Sequence, residues 1–199
     1  MNALFIVAAV FVFLLCPAAL AGNSKEVPDS DSPGGDYAAR VEPPANEIDD
    51  VDHLSIYRKA TGEVIARVAL GGYARYPMAA DSMNLRLLWS PDSKHLAVMG
   101  RTTKRSWEVS VYAIGKGATK VKLPSATEKA LKLLSAKEID RVSRETPVKW
   151  LDNDRLLLRA AGDTTVGGEL IWYEVDVTFS MKGGKITGAK LIEKRSREG

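Results

Sequence analysis

Apolar positions in this chain fall mostly two apart, in short runs separated by polar turns. Leu54 and Ile56 alternate with Ser55 and Tyr57, and Val64, Ala66, Val68 and Leu70 follow after Arg58-Lys-Ala-Thr-Gly-Glu63. A period of two bounded by a glycine-containing turn predicts a hairpin over 54–70, with Gly62 free to take positive φ. Strand runs follow at 85–90 and 95–99 around Pro91-Asp-Ser-Lys94, where proline presets the second turn position. Trp107, Val109, Val111 and Ala113 then alternate with Glu108, Ser110 and Tyr112, and Gly115-Lys-Gly117 turns the chain into 119–123. The scheme returns at 147–150, 155–161, 170–179 and 186–193, which makes ten predicted strands in all.

The alternation stops at Pro124. Ser125-Ala-Thr-Glu128 and Ser135-Ala-Lys-Glu138 both read as capping boxes. Ala130, Leu131 and Leu134, then Ile139 and Val142, fall at helical spacing and predict one or two short amphipathic helices over about 126–145, ended before Pro147. Lys129, Lys132, Lys137, Arg141 and Arg144 make this segment basic. A basic amphipathic helix can lie on an anionic membrane; docking of Leu131 and Leu134 on the sheets is the simpler reading.

Two stretches organise the rest. Trp89-Ser-Pro-Asp-Ser-Lys-His-Leu-Ala-Val98 and Trp150-Leu-Asp-Asn-Asp-Arg-Leu-Leu-Leu158 each end an apolar run with a tryptophan, then turn, then begin a second run. A further tryptophan, Trp107 or Trp172, opens the third strand of each unit, and the hairpin at 54–70 matches the last two strands of such a unit. Self-similar four-stranded units are the sequence sign of propeller blades. The first stretch resembles the blade motif of TolB-like propellers, Trp-Ser-Pro-Asp-Gly-Lys followed by Leu-Ala, with Ser93 at the glycine position; the second keeps Trp150 and the Asp/Asn-rich turn without Ser-Pro. The resemblance implies a mainly β fold of antiparallel four-stranded blade-like meanders with a short helical insert, and it says nothing about chemistry. Such blades occur in periplasmic partner-binding proteins and in the non-catalytic propellers of prolyl-oligopeptidase-type peptidases. Two and a half units are too few for a closed propeller. An incomplete propeller, a sandwich-like packing and closure between subunits all fit ten strands.

The ends of the chain differ from this body. Residues 1–21 carry no charged side chain, Leu4 to Leu15 is unbroken and apolar, and Ala19-Leu-Ala21 offers a small-x-small cleavage signature. That apolar core is short for a membrane span and suits a secretory signal cleaved near Ala21, the alternative being a retained anchor. Cleavage would remove Cys16, the single cysteine, and with it disulfides, thiolate nucleophiles and cysteine-bound zinc. Residues 22–52 carry two basic and nine acidic side chains, a net of −7, whereas the remainder is net +10. Poor in apolar surface and containing Pro28, Pro33, Pro43 and Pro44, residues 22–50 read as a disordered acidic linker, with order beginning near Val51. Asp29-Ser-Asp-Ser-Pro-Gly-Gly-Asp36 begins like a calcium loop but has Pro33 at the fifth position and Arg40 where the bidentate glutamate belongs. Residues 51–199 are then one β-rich domain.

No catalytic constellation stands out. The two histidines, His53 and His95, have no metal-type spacing, and neither a Gly-x-Ser-x-Gly elbow nor a phosphate-binding glycine loop is present. Asp152-Asn-Asp154 is explained by turn formation without a cation. No metal or cofactor is expected. The densest basic–aromatic clusters are Arg101, Lys104, Arg105 with Trp107, and Tyr73, Arg75 with Tyr76. Both fall in loops, where scaffolds carry binding groups, and aromatic–cation pairs suit anionic ligands and interface hot spots. Trp89, Trp150 and Trp172 are assigned to blade packing, not to ligand contact. The expected function is a non-catalytic binding or protein-interaction module of the bacterial envelope, periplasmic or secreted. Its partner would be an envelope protein or an anionic ligand, not nucleic acid, and its membrane contact only transient, through the signal. The alternatives are a small secreted hydrolase with an unrecognised site and a subunit that completes a propeller by oligomerisation.

Overall fold

The computed structural model describes residues 24–42, 53–70 and 85–197. The expected signal segment, Cys16, and the cluster of Tyr73, Arg75 and Tyr76 lie outside the described residues. The described chain is mainly β, with one short helix. Its strands are β1 Lys25–Glu26, β2 Tyr37–Glu42, β3 His53–Arg58, β4 Val64–Ala69, β5 Arg86–Trp89, β6 His95–Thr103, β7 Ser106–Ile114 and β8 Ala118–Val121. After helix α1, Ala126–Leu134, come β9 Ser143–Trp150, β10 Arg155–Val166, β11 Glu169–Ser180 and β12 Lys185–Ser196.

Each group of four consecutive strands is an antiparallel meander. Alternation gives each meander two faces, and the buried side chains show how the meanders stack. Ala39, Val41, Leu54, Ile56 and Val68 of the first pack on Trp89, Leu96, Val98 and Ile114 of the second. The opposite face of the second, with Ala97 and Val111, packs on Leu156, Leu158, Ala160, Tyr173, Val175, Val177 and Phe179 of the third. Two apolar layers therefore separate three blade-like meanders. A parallel bridge of two residue pairs, Ser106 with Ser143 and Trp107 with Arg144, also joins the second and third meanders edge to edge.

The strand count corrects the reading of residues 22–50 as a disordered linker. The first unit is complete because β1 and β2 come from that segment, and Ala38, Ala39 and Val41 are buried there. Asp31-Ser-Pro-Gly-Gly-Asp-Tyr37 is the same turn as Trp89-Ser-Pro-Asp-Ser-Lys-His95. In each, the serine N–H donates to a carbonyl five residues on at 2.9 Å, Ser32 to Tyr37 and Ser90 to His95. The serine Oγ in turn accepts from the same residue's N–H, at 3.1 Å from Tyr37 and 2.9 Å from His95. Gly35 and Ser93 occupy the matching left-handed position, with φ of 76° and 60°. The calcium-loop motif is thus a blade turn with aspartate in the tryptophan position.

The helical insert is also shorter than expected. Ser125 caps α1 by accepting the Glu128 N–H at 3.1 Å, as its capping box predicts. Ser135, by contrast, ends the helix: it takes a left-handed conformation as C-cap and the Ala136 N–H reaches the Leu131 carbonyl at 2.9 Å. Residues 143–145, expected to be helical, begin β9. Ala126, Ala130 and Leu134 bury the inner face of α1 against the third meander, so Leu134 docks as expected, whereas Leu131 stays half-buried outside the core.

Candidate binding surface

The basic segment 101–105 is a hairpin tip rather than a loop. β6 continues to Thr103, Lys104 and Arg105 make the turn, and β7 starts at Ser106. Cross-strand register sets Arg101 opposite Trp107, and the Arg101 guanidinium lies 5.2 Å from the indole centroid. The same guanidinium donates from Nε to the Thr103 carbonyl at 3.1 Å and from its terminal nitrogen to the Lys104 carbonyl. Arg101 is thereby spent on shaping the tip. A second guanidinium, that of Arg144, sits 5.5 Å from the Trp107 ring, carried there by the parallel bridge to β9. Lys104 and Arg105 are exposed, and their side chains have no ion-pair partner among the described residues. The structure therefore brings Arg101, Lys104, Arg105 and Trp107 together, and adds Arg144, which no local sequence signal links to them.

Next to the tip the edge of β7 changes partner. Residues 111–114 pair with β8, while Ser106 and Trp107 pair with β9. Between these contacts the strands diverge and leave a cleft of about 440 Å³, lined by Glu108, Ser110, Lys120, Ser125, Thr127 and Glu145 among others, with Leu158 and Phe179 at its base. Glu145, 7% exposed, fills the fork. Its Oε1 accepts the Thr127 N–H at 3.0 Å and the Thr127 hydroxyl at 3.1 Å, and its Oε2 accepts the Val109 N–H at 3.5 Å. One carboxylate thus serves the N-terminus of α1, where the helix dipole favours negative charge, and an unpaired strand N–H. Its oxygens are committed to structure. The buried Tyr173 hydroxyl has no hydrogen-bond partner among the described residues, and burial, then the nearby Glu145 and Asp163 charges, push its pKa up.

Trp89 and Trp150 act between meanders, as expected of blade tryptophans. Trp89 Nε1 donates to the Ser30 carbonyl at 2.8 Å and its ring stacks on Tyr37 at 5.9 Å. Trp150 Nε1 donates to the Leu88 carbonyl at 3.0 Å and stacks on His95 at 5.6 Å. These contacts are equivalent, since Ser30 and Leu88 both stand two residues before the turn serine and Tyr37 and His95 five after it. His95 is therefore a packing surface for Trp150, and its Nδ1 is buried without a partner among the described residues. Trp172 is placed differently from these two. It faces outward on the third meander under Arg195 and Arg197, whose guanidiniums lie 6.0 and 5.0 Å from its centroid.

No protein-family model matches this sequence, and no curated protein does. Among solved structures, TolB from Acinetobacter baumannii aligns over 81% of this chain and 30% of its own length, with 15% identity and a TM-score of 0.33. A likeness that slight leaves the stack of meanders to be read from this chain alone.

The remaining candidates resolve into structure. Asp152 Oδ1 accepts the Asp154 and Arg155 N–H groups at 2.9 and 2.7 Å, and its Oδ2 pairs with Arg155 Nε at 2.6 Å. The Arg155 guanidinium, helped by these amides, holds the Asp152 carboxyl below its ordinary range. Asp154 pairs with Lys182 at 2.9 Å. Among the described residues no group of three or more His, Cys, Asp and Glu is placed to hold a metal ion, and no helix is long and apolar enough to cross a membrane.

Proposed function

We propose that this chain is a non-catalytic binding module, exported to the bacterial envelope, that engages an anionic face of a protein partner through the β6–β7 hairpin tip. The observation that carries the reading is the division of labour at the tip. Arg101 and Trp107 are locked together beneath a turn that presents Lys104 and Arg105 to solvent with no ion-pair partner among the described residues. Cations held on a rigid hairpin lose little conformational freedom on binding, and an adjacent aromatic adds contact area. Export is supported by the uncharged, apolar residues 1–21 and the Ala19-Leu-Ala21 signature.

The test replaces the free cations and spares the structural one. Lys104→Glu with Arg105→Glu should lower retention on immobilised poly-glutamate, and recovery of a cross-linked partner from envelope extract, at least about tenfold, with unchanged circular dichroism. Wild-type retention should fall between about 0.05 and about 0.5 M salt, since exposed charges are screened over a Debye length. Equal recovery by the double variant would remove the tip from the binding surface.

A further inference from the structure

The outer face of the third meander holds a carboxylate with an unusual environment. Asp163, near the C-terminal end of β10, is fully buried, and neither of its oxygens receives a hydrogen bond among the described residues. Its cross-strand neighbour is Trp172, whose Nε1 also lacks a partner. A buried charge left without donors is costly unless an opposite charge compensates it. Here the compensation comes from Arg197. Its Nε stands 3.1 Å from Asp163 Oδ1 as an ion pair, its guanidinium lies over the Trp172 ring, and 43% of its side chain remains exposed. Arg195 also approaches the indole but is engaged with Glu193 at 3.6 Å.

The second meander shows the same position in use. Trp107 is the counterpart of Trp172: each faces away from the preceding meander, and Arg101 is its cross-strand neighbour as Asp163 is that of Trp172. Over Trp107 the covering guanidinium, Arg144, is delivered by the following meander. Over Trp172 it is delivered by Arg197, one residue past the last strand. Outside the ladder, that residue is tied by a main-chain bond from its N–H to the Leu170 carbonyl at 3.0 Å.

From this we infer that Asp163 and Trp172 form a guanidinium-binding subsite, which Arg197 occupies as an exchangeable internal ligand and which an external guanidinium can take in its place. The carboxylate supplies the charge and the indole face the cation–π surface. Burial makes both stronger than they would be in water. A group tethered next to the subsite has an effective concentration in the millimolar range, so an external ligand must compete with it. The subsite shares no residue with the hairpin tip.

The probe is arginine amide, with the neutral citrulline amide as control, followed by titration calorimetry and by the Trp172 indole N–H resonance assigned with Trp172→Phe. Wild-type protein should bind arginine amide weakly and Arg197→Ala at least about tenfold more tightly, with the Trp172 resonance moving in both and citrulline amide silent. Free arginine and a capped Gly-Arg-Gly peptide separate a small-molecule ligand from a polypeptide one, because preference for the peptide assigns the site to a protein partner. Asp163→Asn should abolish binding; should that variant fold poorly, Trp172→Leu should weaken it several-fold in the Arg197→Ala background. The Lys104→Glu, Arg105→Glu protein should bind the probe as wild type does, whatever the fate of the hairpin reading. Absence of binding to Arg197→Ala, or equal binding of citrulline amide, would overturn the assignment and leave Arg197 as a fixed structural ion pair.

Discussion

Ser93 illustrates how one residue reconciles two demands. Its left-handed backbone would suit glycine, as at Gly35, yet its Oγ accepts the Gly34 N–H at 3.0 Å and so ties the second blade turn to the first. A left-handed non-glycine residue costs about 1–2 kcal/mol, and a hydrogen bond contributes about 1 kcal/mol. Ser93→Gly should therefore change stability by less than about 1 kcal/mol, whereas Ser93→Ala, which keeps the strain and loses the bond, should cost about 1–2 kcal/mol in urea unfolding. Trp89→Phe should cost about 1–3 kcal/mol because the Ser30 carbonyl loses its donor in a buried place, and Trp89→Ala about 3–5 kcal/mol. The tryptophan motif at 89–98 was legible because its turn and both flanking strands are intact in the local sequence. The matching turn at 31–37 was not. Its tryptophan position holds Asp31, and its apolar followers Ala38, Ala39 and Val41 are too small and too few to stand out among acidic neighbours.

At the scale of elements, periodicity located strands whose buried positions are apolar and missed those whose buried positions are polar. β9 was read as starting at Pro147 because Ser143 and Glu145, on its inner face, serve the helix cap and leave no apolar alternation to see. Charge patterning likewise found Arg101 beside Trp107, since hairpin register is local, but not Arg144 or the Asp163–Trp172–Arg197 group, which only pairing between distant strands assembles. The segment between α1 and β9 is held by close backbone approach: a Cβ at Gly162 would stand 2.3 Å from the Val142 carbonyl oxygen. Gly162→Ala should push that segment off the sheet and cost about 3 kcal/mol, read by thermal unfolding and by loss of protection of the Asp163 amide, which donates to Val142. On the outer face of the first meander, Glu42 pairs with Arg40 at 2.9 Å and Arg67 at 3.3 Å. Burial works to raise its pKa, but the Ser55 hydroxyl and the two arginines outweigh it and the net shift is downward. A depressed folded-state value means a contribution fully present above the unfolded glutamate pKa of about 4.3 and lost as pH falls through the folded one. Glu42→Gln should accordingly flatten the acid limb of the stability–pH curve and leave stability unchanged between pH values at which the carboxylate is neutral.

The molecule as a whole is a short stack whose end faces are dressed for water. The first meander ends in Arg40, Glu42, Tyr57 and Arg67, with the Arg40 guanidinium 5.2 Å from the Tyr57 centroid. The third ends in Arg159, paired with Asp176 at 2.8 Å and Glu174 at 3.3 Å, beside the Arg197 subsite. Charged pairs on these described faces give a second copy little to dock on. Light scattering should report a monomer across a wide concentration range, and a mass that rises with concentration would instead favour closure between subunits. The two inter-meander tryptophans both reach backward, each from the first strand of one unit to the turn and strand start of the unit before. Such a stack is a one-dimensional chain of nearest-neighbour couplings, and each tryptophan is a coupling constant that can be lowered separately. Weakening Trp89 should let the first meander open alone while the rest stays shut, so that amide exchange in β2 and β3 speeds up ahead of β10 and β11. Weakening Trp150 should release the stack at its other joint, with β2 to β7 exchanging together as one unit.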